Sequence, residues 1–155
     1  MSLGYFDSLE NANSYFLTER LETAAWDELE DIYRTKLLKT AYNRLYYDPR
    51  WELPTYAEAL GTADHDKLKI ANGEMAYYLA LHLADEDRRK GIQAQGVIEA
   101  GIVKEKYSES MLTALPVPPF VEALLGDFET EIPSFGAVDL ARDEDESVNT
   151  KVHKF

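Results

Sequence analysis

The stretch from Trp26 to Asp48 constrains the fold of this chain most, because it has one clear helical period. Apolar residues recur at every fourth position, which predicts an amphipathic helix of about six turns. The spacing of Asp27 and Glu30 predicts a capping box at the start of this helix, and Pro49 ends it. Other elements must cover its apolar stripe, which consists of Leu29, Tyr33, Leu37, Ala41 and Leu45, with Ile32 and Leu38 on the flanks.

Three further helices are predicted from the same kinds of signal. Asp7 and Glu10 repeat the capping-box spacing, which indicates a short helix. A second long helix extends from about Asp64 to Asp85, and a second short one begins with Pro118 or Pro119 in its first turn. Their expected inner residues are Leu9, Ala12, Tyr15 and Phe16, then Leu68, Ala71, Met75, Tyr78, Leu79 and His82, then Phe120, Val121, Leu124 and Leu125.

Two glycine-containing regions carry less certain signals. Gly73 lies inside the second long helix, where it marks either the close approach of another helix or a tolerated residue. Residues 2–4 have the composition of a cloning remnant, so no function is assigned to them.

The composition changes again after the second long helix. Residues 92–110 combine β-branched side chains, glycines and alternating polar positions, which favours an extended segment or a β-hairpin. Beyond residue 128 acidic residues cluster and large apolar ones become rare, which is typical of a flexible tail. We therefore predict a mainly α fold, a small bundle of two long and two short helices. The helical domain covers residues 1–128 and the acidic C-terminal tail covers residues 129–155.

Size and composition narrow the class of protein. The chain has 155 residues, enough for one domain with a sizeable core. It has no cysteine, so disulfides, thiolate metal sites and cysteine nucleophiles are excluded. Its net charge of -13 repels nucleic-acid phosphates and anionic membranes. No apolar run approaches the roughly 18 residues of a membrane span, and the opening residues lack a signal-peptide pattern, so we expect no membrane partner.

Two histidines invite a chemical interpretation. The triplet Asp64–Asp66 could ligate a metal, but adjacent helical side chains point about 100° apart, so capping of the helix start is favoured. His82 could act as a base oriented by Asp85 or Glu86 at helical spacing. Ordinary charge pairing at the helix end explains the same residues and is favoured.

Acidic and tyrosine clusters are the remaining candidates. Asp143–Glu146 could bind a cation weakly, yet it lacks the spaced ligands and turn glycine of a calcium loop. Tyr46–Tyr47 and Tyr77–Tyr78 could stack on bases, although packing against neighbouring side chains is the more common role. We therefore expect no catalytic, cofactor-binding or metal site and no enzymatic activity. A small enzyme remains the third alternative, which would require a deep pocket with convergent polar groups.

Five short motifs follow one another between residues 8 and 128. They are an opening helix, a tryptophan before a long helix with Ala-x-x-x-Leu, an Ala- and Leu-rich second helix, a Gly-Val stretch ending in tyrosine, and Leu-Pro before a Leu-Leu helix. Their order resembles that of the head–tail connector, or head-completion adaptor, proteins of tailed double-stranded DNA phages and prophages. In this chain the motifs are residues 9–16, Trp26 with residues 40–46, residues 70–80, residues 96–107 and residues 115–126.

The resemblance implies a structural role in the virion. Such proteins form rings, commonly of about a dozen copies, that dock beneath the portal after DNA packaging and receive the tail. The implied partners are further copies, the portal, a tail-completion protein, and double-stranded DNA that passes through the channel without sequence-specific contacts. The implied location is the head–tail junction of the virion, and the host cytoplasm before assembly. No catalytic residue or cofactor is implied.

Some relatives carry a DnaT-like label, so single-stranded DNA binding is the alternative function. For the connector, we expect the glycine-bearing segment and the tail to carry the assembly contacts, by strand addition or as an arm. The predicted interface residues are Gly96, Val97, Ile98, Gly101, Ile102, Val103, Tyr107, Phe135 and Phe155.

Overall fold

A computed structural model describes residues 2–94, 99–100, 105–106 and 116–130. Within these ranges a two-residue antiparallel pair, β1 (Glu99–Ala100) and β2 (Glu105–Lys106), lies inside the predicted extended segment. The predicted mainly α bundle is confirmed. Its helices are α1 (Leu9–Thr18), α2 (Ala24–Asp27), α3 (Asp31–Tyr46), α4 (Tyr56–Ala59), α5 (His65–Ala94) and α6 (Pro119–Leu125), followed by a 3-10 turn (Gly126–Phe128).

The core forms where α3 and α5 pack together. From α3, Leu38, Ala41 and Leu45 are fully buried. Their spacing of three and four residues places them on one side of the helix, which faces α5. Residues from α5 that complete this layer are Leu68, Ala71, Met75, Ala76 and Leu79.

The predicted apolar stripe of α3 was wrong in its first turn. Ile32 is 57% exposed and Tyr33 is 53% exposed. Ile32 lies on the opposite side of the helix from Ala41, because nine residues make two and a half turns. Contact with α5 decides which side of α3 is buried. Apolar residues at every fourth position do not reveal that side.

The long helix predicted from Trp26 is divided into α2 and α3. Residues 28–30 separate the two helices. The guanidinium of Arg34 donates to the carbonyls of Trp26 (3.1 Å) and Asp27 (3.0 Å), which satisfies the end of α2. The predicted capping box was also wrong, since the Asp27 carboxylate accepts from Thr23 and the N-cap Glu30 makes no side-chain cap.

Residues Leu3–Phe6 form a buried hook, which we call the N-terminal hook. Leu3 and Phe6 pair through their backbones, and all of the hook's apolar side chains are buried. The amide of Tyr5 donates to Oδ1 of the buried Asn72, whose Nδ2 donates to the carbonyl of Leu38 (3.3 Å each). The hook is therefore part of the core, so Leu3 and Gly4, to which no function was assigned, contribute to the fold.

Gly4 is required by this packing. Its φ is +70°, in the left-handed region that favours glycine. A Cβ there would overlap Oδ1 of Asn72 and lie 2.9 Å from Cβ of Tyr42. Gly73 shows a second close approach, since a Cβ there would lie 2.8 Å from Cε1 of Tyr15 on α1. Of the two explanations left open for Gly73, the structure supports a close approach, in which the neighbour is the aromatic ring of Tyr15.

The ends of α1, α5 and α6 follow the sequence signals in part. Ser8 caps α1 by accepting from the Asn11 amide, and α6 begins at Pro119 as predicted. Phe120, predicted to be inner, is 57% exposed, so that prediction was wrong. α5 continues to Ala94, beyond the predicted end at Asp85, and the extended segment therefore cannot begin at residue 92.

After α6 the chain returns to the connection that follows α3. The amide of Glu52 donates to the Phe128 carbonyl (2.8 Å), and the Thr130 amide donates to the Arg50 carbonyl (2.9 Å). The side chain of Thr130 also donates to the Pro49 carbonyl (3.1 Å). The chain therefore leaves the described domain beside the C-terminal end of α3. Among the described residues, no helix has the length and apolar character of a membrane span.

Candidate interaction surface

The interface residues predicted from the sequence lie outside the described residues. Only the backbones of β1 and β2 are described within the glycine-bearing segment, and the tail is described only as far as Thr130. The predicted residues whose positions are not described are Gly96, Val97, Ile98, Gly101, Ile102, Val103, Tyr107, Phe135 and Phe155.

The described surface contains a candidate of its own on α3. Six exposed side chains follow one another at helical spacing on the side that faces away from α5. Two are lysines, three are large apolar or aromatic residues and one is an asparagine. We call this surface the outer face of α3: Ile32, Tyr33, Lys36, Lys39, Asn43 and, one residue beyond the helix, Tyr47.

The outer face is positively charged within a strongly acidic chain. Residues 32–47 contain four Lys and Arg residues and no Asp or Glu. Arg34 is bound to the end of α2 and Arg44 to Glu86, so neither is available at this surface. Lys36 lies 5.4 Å from the ring centre of Tyr33. Within the described ranges, neither Lys36 nor Lys39 forms an ion pair with a carboxylate.

A series of tyrosines links the outer face to the N-terminal hook. Tyr47 meets Tyr46 edge-on at 5.1 Å, Tyr46 stacks on Tyr42 at 5.4 Å, and Tyr42 meets Tyr5 edge-on at 5.1 Å. The Tyr5 hydroxyl donates to the Pro54 carbonyl at 2.6 Å. Tyr47 thus stands at the end of a supported row of rings, with 76% of its own surface exposed.

Burial affects the protonation of two tyrosines in this row, Tyr5 and Tyr42. Burial raises the pKa of Tyr5 above its usual value, and the neighbouring phenols of Tyr42 and Tyr46 add to the rise. The pKa of Tyr42 is raised for the same first reason, with smaller contributions from Tyr46 and Tyr47. These phenols therefore remain neutral hydrogen-bonding groups near neutral pH.

In the second predicted stacking pair, Tyr77–Tyr78, the ring of Tyr77 packs in the interior. Tyr77 is only 4% exposed, and its ring lies 3.5 Å beneath the Arg20 guanidinium. Its hydroxyl donates to Glu22 (2.9 Å), whose pKa is lowered first by the Ala24 amide and then by this bond. Base stacking on Tyr77 is therefore excluded by its burial, whereas Tyr47 of the first pair belongs to the outer face.

Arg20, which lies over the ring of Tyr77, also takes part in a hydrogen-bonded cluster with α1. Its Nε donates to Glu74 (3.0 Å), and the Tyr15 hydroxyl donates to the same oxygen (2.8 Å). Burial and then this hydrogen bond raise the pKa of Tyr15 above its usual value. These hydrogen bonds to Glu74 hold α1 and the residues after it against α5.

The two histidines have structural partners. His65 Nε2 lies 3.1 Å from the Tyr5 carbonyl, so it fastens the N-terminal hook. On either side of His65, Asp64 pairs with Lys67 and Asp66 pairs with Lys69. The two aspartates of the Asp64–Asp66 triplet therefore have different lysine partners.

The carboxylates near His82 likewise have cationic partners. The ring of His82 packs against Tyr78, while Asp85 pairs with Arg88. Arg44 approaches both oxygens of the buried Glu86 at 3.0 Å, and Lys90 binds Glu86 as well. No group of three His, Cys, Asp or Glu side chains that could hold a metal occurs in the described part of the chain.

A cleft of about 320 Å³ lies where α1 meets α2 and α3. Phe16 and Trp26 stack at 4.1 Å beside it, and Arg34 lines the same space. Leu17 and Leu21 stand at its rim with their side chains almost wholly in solvent. This rim is a second exposed apolar surface, separate from the outer face of α3.

The sequence analysis missed the outer face because it placed Ile32 and Tyr33 in the apolar stripe. One signal could have found it, namely the absence of any acidic residue from position 32 to 47. Comparisons with known proteins do not assign a function to the outer face. No protein-family model matches the chain, and the comparisons with curated proteins and with solved structures give no match.

Proposed function

We propose that this chain is a structural head–tail connector of a tailed double-stranded DNA phage or prophage. In this role it forms a ring beneath the portal and joins the capsid to the tail after packaging. The observation that supports the proposal is the order of five motifs between residues 8 and 128. Several motif residues are core residues of the bundle, so the resemblance rests on positions that determine the fold. These are Ala12, Phe16, Trp26, Ala41, Leu45, Ala71, Met75 and Leu79.

A ring requires two different contact surfaces on each copy. A repeated head-to-tail contact pairs one surface of a copy with another surface of its neighbour. The described domain offers two separate candidates, the outer face of α3 and the exposed rim formed by Leu17 and Leu21. The net charge of -13 suits a channel wall along which DNA slides, because it disfavours lasting contact with phosphates.

The division between α2 and α3 removes one premise of the sequence argument. The sequence predicted one helix from Trp26 to Asp48 as the main helix of the bundle, and the structure has two helices there. The proposal now rests on the motif order and on the compact α3–α5 core, neither of which depends on a continuous helix.

Sedimentation of the purified chain, alone and with purified portal, tests the connector role. We expect ring-sized complexes on the portal, visible by negative staining. Changing Leu17 and Leu21 to Glu should weaken that association, whereas Glu at Ser14 and Thr18 adds the same charge to exposed positions of α1 and should not. Failure of the unmodified chain to associate with the portal at any ratio would contradict the proposal.

Single-stranded DNA binding is the second candidate, and the outer face of α3 favours it. Tyr33 and Tyr47 could stack on bases while Lys36 and Lys39 bind phosphates. A fluorescent oligothymidine titrated at about 50 mM salt tests this role, since phosphate contacts are strongest there. Loss of binding in a K36Q/K39Q variant would support it, and no binding by the unmodified chain would eliminate it.

A further inference from the structure

We propose that the acidic run Asp139–Glu146 docks on the outer face of α3 in the same copy of the chain. The inference concerns the isolated protein and does not depend on the ring. Three observations support it: the point where the chain leaves the domain, the distance that the following residues can span, and the charge of the two surfaces.

The exit point lies beside the outer face. Thr130 is hydrogen-bonded to the carbonyls of Pro49 and Arg50. Pro49 comes two residues after Tyr47, which is the last member of the outer face. The tail therefore starts at the C-terminal end of the surface on which it is proposed to dock.

The distances allow docking without any movement of the domain. Asp139 is the ninth residue after Thr130, and an extended chain of nine residues spans about 30 Å. Along α3, Lys36 lies about 16 Å from Tyr47, because a helix rises 1.5 Å per residue. The acidic run can thus reach both lysines while Thr130 keeps its hydrogen bonds.

The charges of the acidic run and of the outer face are complementary. The run Asp139–Glu146 holds five carboxylates and one arginine within eight residues. Lys36 and Lys39 have no carboxylate partner in the described ranges. Single exposed ion pairs contribute little, but a tethered segment has an effective concentration of about millimolar, so several weak pairs suffice.

The same features favour the tail over nucleic acid as the occupant of this face. An oligonucleotide must arrive from solution against a net charge of -13, whereas the tail is already attached beside the face. Once docked, the tail would place its own carboxylates where phosphates would bind. DNA binding at this face is therefore expected to be weak in the intact chain.

Paramagnetic relaxation in the full-length protein tests the proposal. The chain has no cysteine, so a single cysteine at Ser147 can carry a nitroxide. At low salt we expect the amide signals of α3 residues near Lys36, Lys39 and Asn43 to broaden. The broadening should disappear in about 1 M salt, where the Debye length is about 3 Å.

Two variants locate the contact. Changing Lys36 and Lys39 to Gln should abolish the broadening. The matched control changes Lys67 and Lys69 to Gln, which removes the same charge from α5, where both lysines already have aspartate partners. The control should keep the broadening, because it leaves the outer face intact.

Other results would overturn the proposal. Absence of broadening on α3, or equal broadening in the K36Q/K39Q variant, would show that the tail does not dock there. In a mixture of isotope-labelled and spin-labelled chains, broadening as strong as within one chain would place the tail on a second copy. An oligothymidine that shifts the α3 signals equally with and without neutralised residues 143–146 would show that the face is open to nucleic acid.

Discussion

The two sides of α3 contrast sharply although one sequence of sixteen residues supplies both. The inner side, Leu38, Ala41 and Leu45, is fully buried against α5. The outer side exposes lysines and aromatic rings. Packing therefore fixes the inner residues, while the outer ones are free to serve a partner. Substitutions on the two sides should therefore have different effects. Those on the inner side should lower the stability of the fold, and those on the outer side should weaken docking of the tail.

The largest effect is expected at the centre of the inner side. Leu45→Ala should lower the free energy of unfolding by about 2–5 kcal/mol, because it removes buried methyl groups and leaves a cavity. Urea unfolding measures the change. Ile32→Ala, on the opposite side of the same helix, should change it by less than about 0.5 kcal/mol. Equal losses in the two variants would abolish the distinction between the sides.

The next largest loss of stability is expected when Arg44, at the edge of the inner side, loses its carboxylate partner Glu86. Glu86→Ala leaves the Arg44 guanidinium largely buried without its carboxylate, which should destabilise the chain by about 3 kcal/mol. Asp85→Ala is the control, because the Asp85–Arg88 pair is exposed and should contribute less than about 1 kcal/mol. A small effect of Glu86→Ala would show that Arg44 readily reaches solvent.

The N-terminal hook should affect the inner side through Asn72. Gly4→Ala should cost about 1–3 kcal/mol, since its methyl group would overlap Asn72 and crowd Tyr42 on α3. Gly61→Ala shares a positive φ (+82°) but has open space around it, so it should cost about 1 kcal/mol. The difference between the urea midpoints of the two variants measures the cost of the overlap with Asn72. Equal midpoints would show that the hook is loosely held.

Alkaline pH should destabilise the folded chain through the buried phenols of Tyr5 in the N-terminal hook and Tyr15 on α1. Burial raises the pKa of Tyr5 and Tyr15 in the folded chain, whereas both phenols titrate near 10.0 when unfolded. Above about pH 10 the unfolded chain releases these protons and the folded chain retains them, so stability present below pH 10 is lost as pH rises. The urea midpoint should fall in that range, and a Y5F/Y15F variant should show a shallower fall. An equal fall in both would assign the effect to other groups.

The smallest effect on stability is expected on the outer side. K36Q/K39Q should change the free energy of unfolding by less than about 0.5 kcal/mol, because neither lysine is ion-paired within the described part of the domain. Thermal or urea unfolding at low salt checks this value. A loss above about 1 kcal/mol would mean that the outer side also supports the fold.

The sequence allowed part of this picture to be predicted. The Asp7–Glu10 spacing located the start of α1, although its cap is Ser8 and not Asp7, and proline located the start of α6. The close approach at Gly73 was one of two open explanations. The outer face was missed, because periodicity alone does not tell which side of a helix meets its neighbour. The predicted assembly residues of the glycine-bearing segment and tail stay predictions.

By itself the sequence determined the mainly α class, the acidic charge, the absence of thiol chemistry, the starts of α1, α5 and α6, and the end of α3. These follow from local propensity and composition, which act within a few residues of chain. Tertiary structure alone decided the burial of Leu3–Phe6, the break before Asp31 and the orientation of α3. Each of these depends on a contact between residues distant in sequence, such as Tyr5 with Asn72, and no local pattern records such a contact.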